Sequence, residues 1–190
     1  GVWLPNWSDS LVWQFAAVHL GAHVIGINTR YNVDEVVHLL DRARPSVVAV
    51  AHAFVKLDLR GRLHQAAQRA SCRMPSVAVV AGPHAAAPSD PEVLAYDLGS
   101  GAWVPRMVAT DPHADVANSD WPDSIAVAFT TSGSTGMPKL AGHSSRAVAQ
   151  HAQAVAAAEG WGPGDVTLCA LPLTGVFAFV PAMTTIASGG

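Results

Sequence analysis

The stretch TTSGSTGMPK, residues 130–139, sets a row of hydroxyl side chains and two glycines ahead of a Pro-Lys pair. Gly133 and Gly136 let the backbone take positive φ and approach an anion closely. Successive backbone N–H groups in such a turn form a concave anion site. The hydroxyls of Thr131, Ser132, Ser134 and Thr135 add rotatable donors, and each hydrogen bond to a charged oxygen contributes about 1.5–3 kcal/mol. Lys139 brings a compact positive charge, and Pro138 fixes the backbone ahead of it. A phosphate chain is the ligand this chemistry suits first. By composition alone, however, Ser/Gly/Thr stretches also serve as ordinary turns, so the order of the residues must decide.

That order excludes three familiar loops. A Walker A loop needs Gly-Lys-Ser/Thr at its end, whereas Pro138 precedes the lysine and Leu140 follows it. The GxGxxG spacing is absent. A nucleophile elbow, GxSxG, fails because Ser132 stands two residues before Ser134. The next helix-capping residue, Ser144 or Ser145, comes several residues after Lys139, so this loop does not open directly into a helix.

TSGSTGMPK resembles the phosphate-binding signature of the adenylate-forming enzymes, which include acyl-CoA synthetases, peptide-synthetase adenylation domains and luciferases. Every position of that signature matches. The run PNWSDSLVWQFAAVHLGAHVIGINTRYNVDEVVHLLDRARPSVVAV is similar to the family's N-terminal region, including its Asn-x-Arg-Tyr turn, and LCALPLTGVFAF is similar to the segment after the signature. The resemblance implies binding of ATP, Mg²⁺ and a carboxylic acid. It further implies formation of an acyl-adenylate with loss of pyrophosphate and, in acyl-CoA synthetases, transfer of the acyl group to coenzyme A. Carried onto this chain, it makes Thr131, Ser132, Gly133, Ser134, Thr135, Gly136 and Lys139 the residues that hold the ATP phosphates. Lys139 then has the catalytic task of orienting the leaving group, and Thr131 lies near the metal. It also makes residues 1–190 a partial N-terminal adenylation domain, with the C-terminal domain absent from this chain.

The chain departs from that pattern in two places. Leu140 stands where the family often has Gly, as in some of its members. In LPLTGVF, Thr174 and Gly175 replace the aromatic residue and His that many acyl-activating members carry near the reacting carboxylate. A more open acid pocket is expected. Phe177 and Phe179 could line an apolar tunnel, but aromatic residues at this spacing are more often plain core. The nine histidines show no metal-ligand spacing, and structural or surface roles are expected for them. Trp3, Trp7 and Trp13 are expected in the core.

The elements that must position the loop alternate in type. Ser8 or Asp9 can cap a helix that presents Leu11, Val12, Phe15 and Val18 on its apolar face and ends near Gly21. Residues 23–27 read as a short strand. Asn32 can cap a second helix, with Asp34 and Glu35 at its positive end, Arg42 and Arg44 at its other end, and Pro45 as the stop. Residues 46–51 read as a buried strand, 57–70 as a helix weakened by Gly61, and 76–80 as another strand. Residues 81–122 are rich in Pro, Asp, Gly and Ala and read as a long surface connection, with one short element at 92–97. A strand at 125–130 leads into the loop, a helix spans 145–159, and 165–171 reads as a further strand. Residues 169–187 are mostly apolar, but Pro172, Gly175 and Pro181 interrupt them, so a buried strand-turn-helix is expected there and not a membrane span. Apolar strands separated by helices predict an α/β fold with a mostly parallel sheet flanked by helices.

At 190 residues, 50% of them apolar and 13% charged, the chain has a globular composition. A net charge of −3 gives no reason to expect nucleic acid or an anionic membrane as partner. Cys72 and Cys169 form no disulfide framework, which fits a cytoplasmic protein with reduced thiols. The chain begins without Met and ends after an apolar run, the appearance of an excerpt from a longer protein. The expected function is that of an ATP-dependent acid–thiol ligase acting on a fatty or other apolar acid, with the excerpt alone inactive. The competing readings are a nucleotide-binding remnant or scaffold without turnover, and an amino-acid adenylation domain.

Overall fold

The computed structural model describes residues 1–52, 54–83, 92–97, 102–105, 122–131 and 136–190. In chain order the elements are β1 (Val2–Trp3), α1 (Ser8–His19), β2 (Val24–Ile25), α2 (Val33–Ala43), β3 (Val47–His52), α3 (Leu59–Arg69) and β4 (Ser76–Ala81). Then follow β5 (Glu92–Asp97), β6 (Ala102–Pro105), β7 (Ile125–Thr131), β8 (Lys139–Ser144), α4 (Ser145–Glu159) and α5 (Val176–Ser188). The fold is α/β, as the alternation of apolar strands and helices predicts.

The strands form two sheets, ordered β1-β3-β4-β5-β6 and β2-β7-β8. Parallel pairings occupy one side of each sheet (β1 with β3, β3 with β4, β2 with β7), and antiparallel strands extend the other. A bridge between Val2 and Gly26 joins the two sheets, reinforced by the Ile27 N–H donating to the Val2 carbonyl. Val48, Ala49, Val50 and Ala51 are all buried, the mark of a parallel strand covered on both faces. Gly26 is required where it stands, because a Cβ there would lie 2.8 Å from the backbone oxygen of Thr174.

Local signals set several boundaries. Asn32 caps α2 in a reciprocal box with Glu35, and Arg44 closes that helix in the left-handed conformation. Ser144 accepts from the Ala147 N–H to cap α4, and Gly160 ends it with φ of 70°. Asp58 caps α3. Both cysteines are free, and among the described residues no helix is long and apolar enough to cross a membrane.

Three expectations require correction. The α1 helix lies where the pattern predicts, but Val12 and Phe15 are 64% and 48% exposed while Ser10 and Gln14 are buried. The reason is polar. The register of β7 against β8 slips between Ile125 and Val127, and there the Gln14 side chain donates to the Ala126 carbonyl at 3.0 Å. With that bond and the one from Ser10 Oγ to the Pro5 carbonyl, Gln14 and Ser10 share the inward side of the helix with Leu11, Trp13 and Ala17.

Residues 165–171 form no strand, and Val166 and Leu168 are 95% and 88% exposed. Their backbone finds a side chain instead of a neighbouring strand. Asn6 donates to the carbonyls of Cys169 and Leu171 and accepts from the Leu173 N–H. The strand of the expected strand-turn-helix is therefore missing, while its turn and helix, α5, are present.

The third correction concerns residues 139–144, which carry β8, and residues 102–105, which carry β6. Neither strand was expected. The remainder of the expected connection at 81–122 lies largely outside the described residues, apart from β5 where the pattern places an element.

Candidate functional site

β7 runs in the same direction as β2 and delivers Thr131 to the carboxyl end of their parallel pair, where α/β sheets commonly bind ligands. The chain returns along β8, with Thr131 directly paired to Lys139. β7 and β8 are therefore antiparallel neighbours, the two legs of a hairpin, with Thr131 and Lys139 as their last pair. Ser132, Gly133, Ser134 and Thr135 lie outside the described residues. Thr131, Gly136, Met137 and Lys139 are exposed, and Pro138 is buried. Gly136 has φ of +84° with open space where a Cβ would sit, so conformation and not crowding selects glycine here.

Both legs of the hairpin are fastened to the α2 side of the sheet. The Tyr31 hydroxyl donates to Thr130 Oγ1 at 2.8 Å, on the leg that enters the loop. On the returning leg, His38 Nε2 lies 2.9 Å from the Pro138 carbonyl, an oxygen that can only accept, so Nε2 carries the proton. Tyr31 is itself held: its N–H donates to the Asn28 carbonyl, and Arg62 donates to its own carbonyl. Trp3, buried as expected, donates from its indole to the same Asn28 carbonyl. Sequence reasoning noticed the Asn-x-Arg-Tyr turn but gave Tyr31 and His38 no part in the site. The signal that could have found them is a donor-bearing Tyr just before a helix that follows a strand, and a His within that helix.

Strand alternation divides the side chains of the hairpin legs between two faces. Thr130 and Leu140 face Tyr31 and the larger core. Thr131 and Lys139 lie on the opposite face, with Phe129 and His143 further along the same strands. That face is covered by α4 and α5, whose Ala152, Phe179 and Met183 pack on Val127 and Phe129. Phe129 and Phe179 meet edge to face with centroids 5.1 Å apart.

A cavity of about 340 Å³ opens there between β7, β8, α4 and α5. Phe129, Val148, Ala152, Phe179, Val180 and Met183 form its apolar wall, with His143 and His151 beside them. Lys139 and His143 are four residues apart on one strand, roughly 13 Å at the usual strand rise. A phosphate held at the hairpin and an apolar group in the cavity would thus occupy one face of one sheet. Of the two aromatics weighed between a tunnel and the core, Phe179 is buried and lines this cavity, whereas Phe177 does neither and is 82% exposed.

Gly175 is the N-cap of α5 with φ of −125°, and only the Pro172 oxygen, at 3.5 Å, would neighbour a Cβ there. Among the described residues no group of three or more His, Cys, Asp or Glu side chains could hold a metal. The Thr131 hydroxyl is one oxygen of the kind Mg²⁺ accepts, and that ion commonly takes its other ligands from phosphate and water.

Comparison with known proteins bears on the whole chain. Residues 1–190 match the model of the family described as AMP-binding enzyme. A curated relative from Mycobacterium tuberculosis (strain ATCC 25618 / H37Rv), named 3-[(3aS,4S,7aS)-7a-methyl-1,5-dioxo-octahydro-1H-inden-4-yl]propanoyl:CoA ligase, is 29% identical over 165 residues, covering 84% of this chain and 28% of its own. A protein of the same name from Rhodococcus jostii (strain RHA1) is 26% identical over 173 residues, covering 85% of this chain and 29% of its own. The chain therefore spans less than a third of the length of these relatives. A long-chain-fatty-acid-CoA ligase (FadD1) from Archaeoglobus fulgidus has the same fold, with a TM-score of 0.72 at 19% identity over 100% of this chain and 33% of that structure.

Proposed function

The chain belongs to the AMP-binding enzyme family, and from that premise we propose that it supplies the phosphate hairpin and the acid pocket of an ATP-dependent acid–CoA ligase. The carboxylate oxygen attacks the α-phosphorus of ATP, the bond from that phosphorus to the bridging oxygen breaks, and pyrophosphate leaves with the electron pair. The sulfur of coenzyme A then attacks the acyl carbon, and AMP departs.

The observation that carries this reading is that the Thr131–Lys139 hairpin shares a sheet face with the cavity walled by Phe129 and Phe179. Thr131, Ser132, Gly133, Ser134, Thr135 and Gly136 hold the β- and γ-phosphate oxygens in this reading, and Lys139 stabilises the charge that collects on the leaving group. Such work is positioning and electrostatics, which suits a loop with two anchored legs. Mg²⁺, when bound, shares the phosphate charge as a Lewis acid. Thr131 is the residue of this chain that would stand beside it.

The acid is one with an apolar body. A cavity of about 340 Å³ lies at the lower end of the range for small-molecule sites, which favours a compact or ring-bearing acid over a long chain. The curated relatives carry such an acid, a bicyclic propanoate, in their names.

The test is acid-dependent exchange of labelled pyrophosphate into ATP by the protein that carries this chain. Exchange with ring-bearing or medium-length acids is the expected result. Tight ATP binding with no exchange for any acid would replace this reading with that of a nucleotide-binding scaffold.

A further inference from the structure

Resting on the proposal that the cavity between β7, β8, α4 and α5 receives the acid, we infer that His143 and His151 select acids that bear a hydrogen-bond acceptor on their apolar body. Among the described residues that line the cavity, these two are the ones whose side chains carry strong hydrogen-bonding groups. They reach it from different elements, His143 from β8 and His151 from α4. Neither imidazole makes a hydrogen bond or ion pair to another described residue. His143 leans on Phe129, with ring centroids 5.7 Å apart and planes tilted by 53°. That contact fixes the ring by its face and leaves its nitrogens uncommitted.

A neutral imidazole offers one N–H donor and one acceptor nitrogen. In a pocket otherwise walled by Phe, Val, Ala and Met, an uncommitted donor distinguishes ligands sharply. An acid with a ketone, hydroxyl or ether oxygen at its far end satisfies it. A pure hydrocarbon of the same size displaces its water and returns nothing. The carboxylate of the acid must point toward the hairpin for adenylation, so the imidazoles meet the distal part of the molecule, and His143 stands roughly 13 Å from Lys139 by strand rise. Two donors on two elements also fix the orientation of a rigid ring, where a single one would leave it free to turn.

A matched pair of acids tests this: 3-cyclohexylpropanoic acid and 3-(4-oxocyclohexyl)propanoic acid, which differ by one ketone. In pyrophosphate exchange the wild-type protein should favour the oxo acid. His143→Leu and His151→Leu should each lower kcat/KM for the oxo acid about fivefold, mainly through KM. The hydrocarbon acid should hold its rate or gain, since leucine removes the imidazole whose water it must displace. Parallel changes for both acids, or none for either, would overturn the inference.

A second measurement separates it from the adenylation reading. If the wild-type protein exchanges no pyrophosphate with any acid, that reading fails. The imidazole resonances of His143 and His151, followed by NMR as each acid is added, then decide the pocket by themselves. Shifts with the oxo acid and not with its hydrocarbon partner sustain the inference, and their absence refutes it.

Discussion

Thr131 and Lys139 stand opposite one another at the last rung of the β7–β8 ladder, so Lys139 begins a strand of that hairpin and not a helix. This differs physically from a loop that opens into a helix. A helix N-terminus would contribute its dipole to an anion. Here the backbone entering and leaving the loop is held by ladder hydrogen bonds, and the lysine sits on that rigid frame. The tyrosine and histidine behind the two legs brace the frame from the other face.

Lys139→Ala should separate function from folding. The side chain is exposed, so the thermal midpoint should move by no more than about a degree or two. Loss of one preorganised charge at the leaving group should slow pyrophosphate exchange by about a hundredfold or more. A large shift in midpoint with exchange preserved would make Lys139 structural.

Tyr31→Phe keeps the ring and removes the donor to Thr130. A stability loss of about 1 kcal/mol is expected, with exchange falling severalfold because the entering leg loses its brace. Denaturant unfolding and exchange rates measured on the same preparation check both. Reduced stability with an unchanged rate would confine Tyr31 to the fold.

Gly175→His should be accepted without a folding defect, because φ there is negative and a Cβ would meet nothing closer than 3.5 Å. The imidazole would stand next to Val176, which lines the cavity. KM for bulky acids should rise severalfold while that for short acids holds. Equal effects on both would mean that position 175 does not face the acid.

The Asp123–Arg146 pair predicts a pH dependence. Arg146 Nε donates to Asp123 at 2.8 Å, and this hydrogen bond, with the guanidinium charge, holds the carboxyl below its usual 3.8. A depressed carboxylate contributes stability that is present above the unfolded value and is lost as pH falls through the folded one. The difference in melting between wild type and Asp123→Asn should therefore be small and flat from about pH 5 to 8, shrinking below about pH 4. A difference that grows on acidification would contradict the assignment.

Much of this protein is determined by residues near one another in sequence. The Asn32–Glu35 box starts α2, Ser144 and Gly160 bound α4, and the unbroken apolar run of β3 announces a strand covered on both faces. The resemblance of residues 131–139 to a phosphate-binding signature is equally local, because it rests on the order of glycines, hydroxyls and a lysine within nine residues. These features were legible because the interactions that make them span a few residues.

Tertiary structure decided whatever depends on a distant partner. KLAGHS has little strand character of its own and becomes β8 by pairing with β7. VTLCAL reads as a strand yet pairs with no strand among the described residues, and the Asn6 side chain donates to the Cys169 and Leu171 carbonyls. The α1 helix buries Gln14 where its amide meets the Ala126 carbonyl, at a slip in the β7–β8 register. The same holds for the site. Tyr31 meets Thr130 across 99 residues and His38 meets Pro138 across 100, while His143 and His151 share a cavity only because α4 folds back over the strand that precedes it. Residue type says what a side chain can do. Which groups it faces is decided by burial and pairing over the whole chain.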